Sequence, residues 1–84
     1  MLAFGRRLRQ LRTWRDLSQE ALANRSGMSR DFVARVEQGR TSPGLLRMWE
    51  LADGLEIGMA DFFGEGLPPS WGRQPRFPDH RESR

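Results

Sequence analysis

The chain has 84 residues, no cysteine and a formal net charge of +3. That length holds a single domain, and the missing thiols exclude a disulfide framework or a thiolate zinc site and fit a reducing compartment. No apolar run is long enough to span a bilayer, and Met1-Leu2-Ala3-Phe4-Gly5-Arg6 turns charged at once, unlike a signal peptide, so a soluble cytoplasmic protein is expected.

The first predicted element is a helix from about Leu2 to Trp14. Phe4, Leu8 and Leu11 recur on one face, and the other faces carry Arg6, Arg7, Arg9, Arg12 and Arg15. An exposed arginine here, Arg7 among them, reads as part of a solvated face. Ser18 is a good N-cap, and Gln19-Glu20 follow in a first turn where negative charge suits the helix dipole. The second helix runs to about Ser26 and stops at Gly27. Ser29 caps a third helix that reaches about Gln38 and ends at Gly39. Thr41-Ser42-Pro43 opens a fourth, reaching about Gly54, and Gly58 opens a short fifth that ends near Gly64. Residues 1–66 thus form an all-α domain, with no strand pattern and no internal repeat. Residues 67–84 hold four of the five prolines and lack helical or strand periodicity, so they read as an extended, Pro-rich tail carrying Trp71 and Phe77.

Charge is unevenly spread. Residues 1–40 carry nine arginines against four acids, a balance of +5, while residues 41–66 carry one arginine against five acids, a balance of −4. A basic half joined to an acidic half suggests one surface for a polyanion and another turned away from it. All 14 basic residues are arginine, the side chain that binds phosphate and guanine in bidentate fashion.

Residues 19–38 carry the main motif. Ala23 is small where two short helices must cross, Gly27 supplies the turn, and Leu22, Met28, Val33 and Val36 supply buried contacts. Those are the physical requirements of a helix-turn-helix unit.

From Phe4 to Phe63 the chain resembles the Cro/C1-type (XRE) helix-turn-helix family. The resemblance rests on Gly5-Arg6-Arg7-Leu8-Arg9, Leu17-Ser18-Gln19-Glu20, Leu22-Ala23 and Gly27-Met28-Ser29-Arg30, followed by Val33-Ala34-Arg35-Val36-Glu37-Gln38-Gly39-Arg40, Pro43, Leu51-Ala52, Leu55 and Phe62. It implies a five-helix, lambda-repressor-like DNA-binding domain. Asp16 and Glu56 depart from the family pattern, standing where Gly or Asn commonly closes a helix; a left-handed conformation there carries a steric cost. Trp14 and Trp49 occupy positions that are usually polar or aliphatic.

The resemblance also implies that the third helix enters the major groove with its N-terminal part leading. Val33 and Val36 then point inward, and Asp31, Ala34, Arg35 and Gln38 follow one another on the outer side. Arg30, Asp31, Ala34 and Arg35 are the candidate base contacts. Arginine can bond O6 and N7 of guanine, Asp31 can accept from cytosine, and Ala34 can touch a thymine methyl. Asp31 has a second reading: it favours the dipole in the first turn or orients Arg35. Candidate phosphate contacts are Gln19, by resemblance, with Arg9, Gln38, Arg40 and Ser42. Arg12 and Glu37 match a family ion pair that ties the first helix to the end of the third.

Catalysis, a metal and a cofactor are not expected: His80, in the tail, is the single histidine, and no phosphate loop is present. The expected function is a transcriptional regulator of repressor or controller type, binding a twofold operator as a homodimer. Trp49, Ile57, Met59 and Phe63 are the candidate dimer surface, since this region has more large apolar groups than a short helix can bury. The alternative places Ile57, Met59 and Phe62 in the monomer core. A competing function is the antitoxin of a toxin–antitoxin pair, whose acidic half faces a basic protein partner. A third is an adaptor that has kept the fold without binding DNA.

Overall fold

The computed structural model describes residues 2–68. Trp71, Phe77, His80 and most of the expected tail lie outside that range. Four α-helices follow in order: α1 at Leu2–Trp14, α2 at Gln19–Ser26, α3 at Arg30–Glu37 and α4 at Gly44–Leu55, then a 3-10 helix at Met59–Phe63. There is no strand among the described residues. No helix there is long and apolar enough to cross a membrane.

The starts of α2 and α3 are fixed by serine hydroxyls. Ser18 Oγ accepts from the Ala21 N–H at 3.0 Å, and Ser29 Oγ accepts from the Phe32 N–H at 3.1 Å. All four helices close the same way. A residue with positive φ follows each helix, and the next residue's N–H reaches back to a carbonyl five residues earlier: Leu17 to Arg12, Met28 to Ala23, Arg40 to Arg35 and Ile57 to Ala52, at 2.9–3.1 Å. Glycine fills that position after α2 and α3, but Asp16 (φ 62°) and Glu56 (φ 60°) fill it after α1 and α4. The two departures from the family pattern therefore do adopt the left-handed conformation.

Leu8 and Leu11 of α1, Leu22 of α2, Val33 and Val36 of α3, and Leu51 and Leu55 of α4 are fully buried and form the core, closed by Ala23, Ala52 and Phe62. Each large side chain stabilises the fold by about 1.5–3 kcal/mol. Where α1 crosses the end of α3, Gly5 lets the backbones touch. A Cβ at this position would lie 2.5 Å from the Glu37 carbonyl oxygen. Gly54 leaves room of another kind where α4 meets α2: a Cβ there would press on the Ser26 hydroxyl.

Arg7 corrects the expectation of a solvated face. It is 9% exposed. Its Nε donates to the Asp61 carbonyl at 2.9 Å, its Nη2 to the Gly66 carbonyl at 2.7 Å and its Nη1 to Gln10 Oε1 at 2.7 Å. It thus pins the end of the domain across α1. Arg15 is structural too: its Nε and Nη2 donate to the carbonyls of Leu55 and Glu56 at 2.6 and 3.0 Å, satisfying the end of α4. Its guanidinium also lies 4.7 Å from the Trp14 ring centroid.

The region of the fifth expected helix is a 3-10 helix of 5 residues. Between Gly58 and Gly64 there is too little chain to propagate an α-helix. Asp61 tightens the turn by accepting from the Gly58 N–H at 3.1 Å. That turn drives Phe62 under α1, where its ring packs 4.9 Å from that of Phe4. The start of α4 also differs from expectation: Pro43 is its N-cap, and no side chain caps it.

Candidate nucleic-acid interface

Helices α2 and α3 are joined by residues 27–29 alone. Gly27, at φ 72°, reverses the chain, and Ala23, 1% exposed, lets the two helices cross closely. Because Val33 and Val36 are fully buried, the opposite side of α3 must face away from the core. Arg30, Asp31 and Arg35 are exposed on it and Ala34 is half-buried between them. All four candidate base contacts thus share one face. Asp31 Oδ2 lies 3.5 Å from Arg35 Nε, one turn along the helix.

The phosphate candidates divide into groups. Gln19, first residue of α2, is half-buried, and its Nε2 donates to Glu37 Oε1 at 3.0 Å. Gln38 and Arg40 are exposed just beyond α3, and Arg40 Nη1 donates to Gln38 Oε1 at 3.2 Å. These three therefore gather around the end of α3. Ser42 is exposed but precedes the N-cap of α4, so its hydroxyl does not cap that helix. Arg9 stands apart on α1, along a shallow groove shared with Arg6, Gln10 and Thr13.

Glu37 links scaffold and surface. Its carboxylate accepts from Arg12 Nε at 2.6 Å, from Arg12 Nη2 at 3.2 Å and from Gln19 Nε2. Arg12 Nη1 also donates to the Leu17 carbonyl at 2.8 Å. The side chains of Arg12 and Glu37 are 14% and 4% exposed, so the expected ion pair is present and largely out of water. The tie from Glu37 to Gln19 has no signature in spacing. Arg7, Arg12 and Arg15 are thus committed to the fold and Arg25 pairs with Glu56 at 2.9 Å. Besides Arg25, the exposed arginines of residues 1–40 are Arg6, Arg9, Arg30, Arg35 and Arg40.

Of the dimer-surface candidates, Trp49 is 65% and Phe63 69% exposed, while Ile57 and Met59 are half-buried against the core. Leu45 and Leu46, at 72% and 66% exposed, were not singled out from sequence. On a helical wheel they fall beside Trp49, opposite Leu51 and Leu55, so the periodicity of α4 carries that signal. Trp49 lines a groove with Arg25 and Ser26 of α2, whereas Phe63 lines one beside Phe4 and Arg6 of α1. The described residues hold no cluster of acids and histidine able to ligate a metal.

Residues 3–60 match the family model described as a helix-turn-helix domain. An HTH-type transcriptional regulator of Sinorhizobium fredii, y4aM, is 38% identical over 64 residues, which is 76% of this chain and 44% of that protein. A transcriptional regulator in the ATPase CF(0) region of Rhodospirillum rubrum is 34% identical over 82 residues, 86% of this chain and 76% of its own. The chain therefore spans less than half of the first relative and most of the second. Among solved structures, the restriction-modification controller protein C.AhdI from Aeromonas hydrophila superposes with a TM-score of 0.72 at 44% identity, over 74% of this chain and 94% of that one.

Proposed function

Since the chain belongs to the Cro/C1-type helix-turn-helix family, we propose that it is a sequence-specific DNA-binding transcriptional regulator of repressor or controller type. It binds a twofold operator as a homodimer. The observation that carries this reading is the outer face of α3: Arg30, Asp31 and Arg35 are exposed around Ala34, on a helix locked in place by Val33 and Val36. Arg30 and Arg35 read base edges in the major groove, while Gln19, Gln38, Arg40, Ser42 and Arg9 hold phosphates on either side. The transcriptional regulators among its relatives and the controller protein it superposes on support the assignment. In the dimer, Trp49, Phe63 and the outer edges of Ile57 and Met59 meet a second copy, which places two copies of α3 about one DNA turn apart.

Selection of duplexes from a random pool by the purified chain tests this reading. The expected result is a twofold sequence with half-sites about 10 base pairs apart, centre to centre. A pool that stays random after repeated rounds overturns it.

A further inference from the structure

Asp31 is the acid on the outward face of α3, one turn before Arg35. Its carboxylate sits among arginines that attract phosphate, so it opposes the approach of DNA. The helix does not need it as a cap, because Ser29 Oγ already accepts from the Phe32 N–H. Nor does the pair serve the fold: the two side chains are 78% and 50% exposed, and exposed pairs of this kind add little stability.

What the contact biases is the orientation of the guanidinium plane. Asp31 Oδ2 lies on the Nε edge of Arg35, at 3.5 Å. The group is flat and rigid, so holding that edge leaves the two Nη groups to face elsewhere. These are donors that O6 and N7 of one guanine accept together. Arg30, also on this helix, takes no part in the ion pairs of the described residues.

We propose that Asp31 is a positioning residue for base readout: it orients the Arg35 guanidinium before DNA arrives, sharpening the preference at one base pair while weakening attraction to DNA of any sequence. This inference rests on the DNA-reading function proposed above.

The test compares the wild-type chain with Asp31→Ala, Asp31→Asn, Arg35→Ala and the Asp31→Ala/Arg35→Ala double variant. The probes are the duplex selected by the wild type, its single-base variants and a mixed, unselected duplex. Asp31→Ala should bind the unselected duplex about threefold more tightly, since a charge repelling phosphate is gone. It should lose about fivefold in preference at the base pair where Arg35→Ala also loses it, out of the roughly 5- to 150-fold that a bidentate guanine contact supplies. Asp31→Asn should fall between. In the Arg35→Ala background, Asp31→Ala should change base preference nowhere. If Asp31→Ala shifts preference at a pair that Arg35→Ala leaves alone, Asp31 touches the base itself and the positioning role is wrong. If it weakens all duplexes equally, the residue serves only the fold and the proposal fails as well. A wild-type chain that enriches no sequence removes the DNA-reading function and this inference together, whereas either of the other failures removes the inference alone.

Discussion

Two arginines one turn and a half apart on α1 have different kinds of partner. Arg12 meets a carboxylate, and Arg7 meets backbone carbonyls. Removing Glu37 strands a guanidinium that is 14% exposed, and Gln19 loses its tether as well. Glu37→Ala should therefore cost about 3 kcal/mol, near the lower end for breaking a buried pair. Arg7→Ala should cost about 1–3 kcal/mol, because a buried side chain and its three hydrogen bonds are lost, those to the carbonyls of Asp61 and Gly66 among them. Urea midpoints of both variants check this, with Arg6→Ala as the exposed control, expected within about 0.5 kcal/mol of wild type. The Arg12–Glu37 tie was readable in sequence because acid and base stand at family positions. The role of Arg7 was not. Two of its three partners are main-chain oxygens more than fifty residues away, and a carbonyl has no residue-type signature.

Elements were the most legible level. Ser18 and Ser29 announce the starts of α2 and α3, and Gly27 and Gly39 announce their ends. The ends of α1 and α4 are expected near Trp14 and Gly54, and Asp16 and Glu56 do there what glycine does elsewhere. Glu56 is held in place by its carboxylate, 2.9 Å from Arg25 Nη2 and 3.7 Å from Arg15 Nη2. The fifth element was found in place but not in kind, since five residues do not carry enough periodicity to separate a 3-10 from an α turn. Gly5 stood in the family string without a physical reason, which only the crossing of α1 over the end of α3 supplies. In an open helix, Gly→Ala stabilises by roughly 0.5–1 kcal/mol. Gly5→Ala should do the opposite, because its Cβ would press within 2.5 Å of the Glu37 carbonyl oxygen. A loss of about 2 kcal/mol or more in thermal or urea unfolding is expected, in the range of overpacked cores. A gain would mean that α1 does not cross α3 so closely.

At the scale of the whole molecule, the charge asymmetry of the sequence survives in altered form. Arg7, Arg12 and Arg15 are held by the fold, and of the six exposed arginines in residues 1–40 three, Arg30, Arg35 and Arg40, belong to α3 or its end. The most exposed large apolar groups lie elsewhere, at Leu45, Leu46 and Trp49 on α4 and at Phe63 beyond it. Phe63→Glu should give a folded protein, since a side chain 69% exposed contributes little to the core. In sedimentation it should run as a monomer, with operator binding weakened by roughly tenfold or more, because a charge then sits inside an apolar interface. A variant that stays dimeric and binds normally would take Phe63 out of the interface.

The central claim is that α3 reads bases while its flanks hold phosphates, and equilibrium binding of Arg35→Ala and Arg40→Ala to every single-base variant of the selected operator tests it most directly. Arg35→Ala should lose about 1–3 kcal/mol of discrimination at one base pair and keep it at the others, whereas Arg40→Ala should weaken binding to all variants by a similar factor. Uniform weakening by Arg35→Ala, with every base preference intact, would contradict the claim.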